Sequence, residues 1–201
     1  STMEEGRADL VGLYYLYNPK LQELGLVEDW KEMGIAAFDG YIRNGLMMQL
    51  IRLKLGDDVE ESHMRNRQWV SAWAYERGLK DNVIEKINRD GKTYFNINDY
   101  DKLRDIFGEL LRETQRIKSE GDFAAAEALV EGYGVKVDQE IHSQVLNRNR
   151  KFKGAPYQGF VNPVLVPKFN SENEIISISV KHHASFEDQM LDYSENFGFL
   201  K

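Results

Sequence analysis

The sequence predicts a mainly α protein: a helical lobe over residues 1–147, then a hinge, a small β-hairpin and one helix over residues 148–201. Three observations predict it. Apolar residues recur at intervals of three and four through the first two thirds of the chain, the period of a helix with one buried face. Glycines and side-chain caps punctuate that pattern at helical lengths. Beyond Asn147 the helical period gives way to two β-branched runs separated by a polar turn.

The elements follow in order. An acidic hexapeptide, Glu4-Glu5-Gly6-Arg7-Ala8-Asp9, runs into Leu10-Val11-Gly12-Leu13-Tyr14-Tyr15-Leu16 and reads as a first helix whose Leu10, Leu13 and Tyr14 face a core. Asn18-Pro19 breaks it and restarts a short helix to about Leu24, since proline suits a first turn. Val27 to Leu55 carries Trp30, Ile35, Phe38, Ile42, Leu46, Leu50 and Leu53 at helical spacing. Gly34, Gly40 and Gly45 argue against one straight rod there and permit close helix packing. Gly56-Asp57-Asp58 supplies a stop and a new cap, and Val59 to Arg77 reads as a helix ended by Gly78.

Asn88-Arg89-Asp90-Gly91 is a turn, with a short strand at Lys92–Ile97. Asn98 or Asp99 caps a helix with the stripe Leu103, Ile106, Phe107, Leu110, Leu111 and Ile117. Gly121-Asp122 opens another, as far as the glycines around Tyr133, and Gln139 to Asn147 completes the lobe. Asn147 to Gly154 is basic and glycine-terminated, a linker or hinge. Residues 159–167 and 174–180 read as strands joined by Ser171-Glu172-Asn173, with a last helix from Ser185 to about Asn196. Two prolines place the first of these strands at an edge. This tail is too small to build much core of its own.

Composition narrows the function classes. A net charge of −7 argues against non-specific nucleic-acid binding, which needs a basic face. The chain has no cysteine, which excludes disulfides and thiolate metal sites and fits a reducing, cytoplasmic setting. No apolar run approaches the roughly 20 residues of a membrane span. Neither a phosphate-binding glycine loop nor a local serine-histidine-aspartate signature is present.

The chemistry-bearing residues cluster early. On a helix Glu5 and Asp9 share one face, and two carboxylates beside a core stripe are costly to bury without a cationic neighbour. A metal with histidine ligands is one such partner; simple complementation of the helix dipole is the other reading. Downstream lie Glu61-Ser62-His63-Met64-Arg65-Asn66-Arg67, Lys118-Ser119-Glu120-Gly121-Asp122 and Val130-Glu131-Gly132-Tyr133. In this order the four segments resemble landmarks of the dipeptidyl peptidase III family of zinc metallopeptidases: E-E-x-R-A-D/E, H-M-x-x-R, K-S-x-G-D and E-G-Y. They span residues 4–133.

The resemblance implies a role for each match. Glu5 would be the zinc-ligating carboxylate, with Glu4 facing solvent or standing behind the ligands. Asp9 would orient a ligating histidine, where an acceptor fixes the tautomer; by itself it reads as a salt-bridge partner for Arg7 or a neighbouring helix. His63 would stabilise the transition state from a cleft between lobes, and Arg67 would line that cleft and meet a substrate carboxylate. Taken alone, a histidine on an amphipathic helix is ordinarily structural or solvent-exposed, and Arg67 pairs with Glu60 or Glu61. The family places a basic residue near the crossing between lobes that binds peptide carbonyl or carboxylate groups, and Arg148, Arg150 and Lys151 all stand in that stretch as its counterpart; a solvated basic linker explains them at least as well. His182-His183 point to opposite sides of a strand, and Trp69 and Trp73 read as core.

The family's H-E-x-x-G-H motif, which supplies two histidine ligands and the catalytic glutamate, has no counterpart among His63, His142, His182 and His183. With Ser1-Thr2 preceding Met3, the expectation is the C-terminal part of a longer peptidase, inactive alone, whose partners are a peptide substrate and the missing N-terminal portion. The resemblance also implies that the tail returns to the other lobe. Two rivals stand beside this reading: a non-enzymatic helical interaction domain of the same ancestry, and a different metal-dependent hydrolase.

Overall fold

A computed structural model describes residues 2–151 and 160–199, and among these are eight α-helices and two antiparallel hairpins. The chain divides into two units, Ser1–Phe152 and Lys153–Lys201. The mainly α class read from the sequence is the class observed.

In the first unit α1 (Thr2–Leu16), α3 (Trp30–Leu46), α4 (Ser62–Gly78) and α5 (Tyr100–Glu120) pack around one core. The short α2 (Lys20–Glu23) follows Pro19, while α6 (Phe123–Tyr133) and α7 (Gln139–Asn149) close the lobe. Leu10, Phe38, Trp69, Leu103, Phe107 and Leu110 are fully buried, each removing roughly 1.5–3 kcal/mol of apolar surface from water. Phe38 meets Phe107 edge to face with ring centroids 5.1 Å apart. Trp69 lies in this core, as its spacing predicts, and Trp73 packs partly buried against it.

Aspartates set most of the helix starts. Asp29, Asp99 and Asp138 each accept from backbone N–H groups of the first turn, and Asp122 caps α6 through Ala125. Several features differ from the periodicity. The segment read as continuing to Leu55 ends as an α-helix at Leu46 and tightens into a 3-10 turn, Met48–Arg52. The helix read from Val59 begins at Ser62, because Val59 is buried and gives its N–H to the Val135 carbonyl at 2.9 Å. Its cap is Glu61, not Asp57 or Asp58. The strand β2 (Lys92–Ile97) is paired by β1 (Ile84–Arg89), which periodicity missed because Ile84 is its only buried residue.

The second unit holds β3 (Pro163–Phe169), β4 (Ile175–His182) and α8 (Phe186–Phe197). Leu165 pairs with Val180 and Pro167 with Ile178, with an irregularity at Lys168/Phe169. The turn between the strands carries Asn173 in the left-handed region, φ 63°. Ser185 caps α8, whose buried Gln189 donates to the Phe160 carbonyl at 2.9 Å and accepts from the Asn162 N–H. Residues 152–154 of the expected linker, and residue 159 of the expected first strand, lie outside the described residues.

Candidate functional site

Residues far apart in sequence meet where α1 crosses α4. Their backbones approach closely because Gly6 lies flat on the Trp69 indole, in the space a side chain would otherwise occupy. Gly45 does the same for α3, against Ser71 and the Arg67 carbonyl. These glycines fix the distance between helices, and that distance decides which polar groups touch.

Glu5 Oε2 lies 3.3 Å from His63 Nδ1, with both side chains well exposed to solvent. One turn along α1, Asp9 Oδ2 accepts two hydrogen bonds, from the Tyr41 hydroxyl at 3.0 Å and the Asn66 amide at 3.2 Å. Asn66 is 1 % exposed, and its Oδ1 has no hydrogen-bond partner. Burial and then the neighbouring Asp9 push the Tyr41 phenol well above its ordinary value, so it remains a donor. Arg67 lies half-buried on the same face of α4, where its charge acts on both Tyr41 and Glu61. Desolvation works against Glu61, yet the N–H groups of His63 and Met64 that it caps hold its carboxyl below the usual range.

Glu4 is bound on the opposite flank. Arg7 Nη2 and Lys118 Nζ each reach it at 2.6 Å, and these bonds bring its carboxyl down to about 2. Arg7 therefore serves Glu4 and leaves Asp9 to Tyr41 and Asn66. Arg67 forms no ion pair with Glu60 or Glu61 among the described residues.

Tyr41 and Asn66 are the members that sequence reasoning missed. The signal that could have found Asn66 is its place as a polar residue about one turn beyond His63 on the same helix. Tyr41 carried no signal, since its partner lies 32 positions away. Arg148 and Arg150 lie apart from this cluster. Arg148, the last turn of α7 rather than linker, donates to the Thr93 carbonyl at 2.8 Å and stacks on Tyr94, while Arg150 reaches Asn147. On the second unit, His183 lies 3.6 Å from Asp192.

A shallow groove of about 440 Å³ runs along α1 and α3 beside Asp9, lined by the small residues Ala8, Gly12, Ala36, Ala37 and Gly40. Among the described residues no group of three or more histidine, cysteine, aspartate or glutamate side chains is arranged to hold a metal ion. Catalytic zinc takes three protein ligands and an open position. Of these Glu5 offers one, so the zinc that the resemblance implies fits these residues only as part of a site.

No protein-family model matches this chain, and no curated protein matches it either.

Proposed function

We propose that this chain forms part of a dipeptidyl peptidase III-like zinc exopeptidase, which releases dipeptides from the N-terminus of peptides. The observation that carries the reading is convergence: Glu5 and His63, singled out from separate segments of sequence, stand 3.3 Å apart in space, with Asp9 one turn away. In this account Glu5 is the carboxylate ligand of zinc, and the histidine ligands and general base come from an H-E-x-x-G-H helix outside these residues. A zinc ion held there by Glu5 and those histidines would supply a polarised water and electrophilic help to a peptide carbonyl.

The chain's own residues do the remainder. Asp9 has one oxygen committed to Tyr41 and Asn66, and no described donor reaches Oδ1. That oxygen is the acceptor for a ligating imidazole N–H, which it would orient. The small-residue groove beside Asp9 gives the ligand-bearing helix room for close approach. His63 sits exposed at the edge of the cluster, where it can donate to a substrate oxyanion, and Arg67 supplies a guanidinium for a substrate carboxylate. The exposed ribbon of the second unit, with Leu165, Ile178 and Val180 open to solvent, suits docking on the other lobe. The cysteine-free composition fits a cytoplasmic enzyme, and no helix among the described residues is long and apolar enough to cross a membrane.

The test is to sequence the coding region upstream of these residues and assay the protein it encodes on dipeptidyl-arylamide substrates. An encoded H-E-x-x-G-H motif, with dipeptide release abolished by His63→Ala or Glu5→Ala, is the expected result. An upstream region without that motif would overturn the reading in favour of a non-enzymatic interaction domain.

A further inference from the structure

We propose a second binding site, independent of the peptidase reading: a pocket between the 3-10 turn, β2 and α7 that takes a small aliphatic monocarboxylate. The concavity measures about 340 Å³, within the range of small-molecule sites. Its floor is apolar and well packed, formed by Met47, Phe95 and Val145. Its walls are apolar yet open to solvent: Met48 is 59 % exposed, Ile51 47 % and Tyr94 38 %. Three large hydrophobic groups converging on one hollow indicate an occupant with an apolar body, since isolated exposed hydrophobics need no explanation but a lined concavity does. The methionine thioethers adjust to chains of differing length and shape.

The mouth of the pocket supplies the second half of the recognition. Two guanidiniums lie there, and they differ. Arg43 is neutralised by Asp39, 2.5 Å away. Arg148 is immobilised by uncharged groups instead: Nη1 donates to the Thr93 carbonyl at 2.8 Å, and the guanidinium lies 4.8 Å from the centroid of the Tyr94 ring. No carboxylate among the described residues pairs with it, although acidic residues outnumber basic ones by 33 to 26 in this chain. A guanidinium held in place but not neutralised keeps donors for an incoming carboxylate, and little further rotamer freedom is lost on binding. An alkyl tail on the apolar floor and a carboxylate on Arg148 satisfy both halves together. A phosphate ester fits less well, since among the described residues only one unpaired cation, Arg148, lines the site.

Octanoate is the probe, titrated into the whole chain by calorimetry. Saturable one-to-one binding is expected, at least about tenfold tighter than for octanol or acetate, each of which lacks one half of the ligand. Arg148→Gln and Ile51→Glu should each weaken it by about tenfold or more, and Arg150→Gln, two residues on, should leave it unchanged. Both Ile51 and Arg150 are exposed, so neither change threatens the fold. Absence of saturable binding overturns the proposal. So does octanol binding as tightly as octanoate with no effect of Arg148→Gln, which would mark non-specific apolar adsorption.

Discussion

Gly6 is the residue on which the candidate site most depends, although it carries no functional group. It sits between the two acidic residues and Arg7, and the Trp69 indole fills the volume a Cβ would need. Adding that carbon forces either the indole or the α1 backbone to move, and overpacking of this kind costs about 1–3 kcal/mol. Gly6→Ala is expected to lower stability by that amount in urea unfolding and to perturb the His63 ring resonances, since the Glu5–His63 contact lies along the same crossing. Shrinking the partner, as Trp69→Leu, should recover part of the loss in the double variant. Wild-type stability in Gly6→Ala would show that the helices have slack there.

Between elements, the tie that holds the start of α1 against the end of α5 is ionic. Glu4 accepts from Arg7 on its own helix and from Lys118 on α5. Its carboxyl titrates near 2, against 4.5 for the free side chain. A carboxylate with a depressed value in the folded state stabilises the fold above its unfolded value, and that contribution disappears as the group is protonated. Stability attributable to Glu4 is therefore complete above about pH 4.5 and declines as pH falls towards 2. Lys118 is solvent-exposed and Arg7 half-buried, with Glu4 itself open to water, so the effect is modest and screened by salt. Lys118→Met should raise the Glu4 value and flatten the acid limb of the stability curve, as followed by carboxyl-carbon NMR and urea midpoints across that window. An unmoved Glu4 titration in Lys118→Met would show that Arg7 alone sets it.

For the molecule as a whole, the legible part of the sequence was the part written in local pattern. Stripes such as Leu103, Ile106, Phe107 and Leu110 announce α5 because one helix face is buried along its length. The caps Asp99 and Ser185 announce helix starts because their carboxylate or hydroxyl must meet first-turn N–H groups. β1 was hidden because Glu85, Lys86, Asn88 and Arg89 carry no alternation; it exists through pairing with β2, and pairing leaves little local trace. The candidate site shows the same division. Glu5, Asp9, His63 and Arg67 were readable as motif residues. The hydrogen bonds to Asp9 from Tyr41 and Asn66 were not, because they depend on how three helices cross. Arg148 was legible as a basic residue near a hinge, but only the fold seats it on Tyr94.

The central claim is that Glu5 is a zinc ligand whose histidine partners come from outside these residues. The most direct measurement is the zinc content, by plasma mass spectrometry, of the protein expressed together with whatever its upstream coding region encodes, purified as wild type and as Glu5→Ala. One zinc per chain in the wild type and a large loss in Glu5→Ala is the predicted result, since removing one of three ligands leaves a site too weak to survive purification. Equal zinc in both proteins, or none in either, would contradict it.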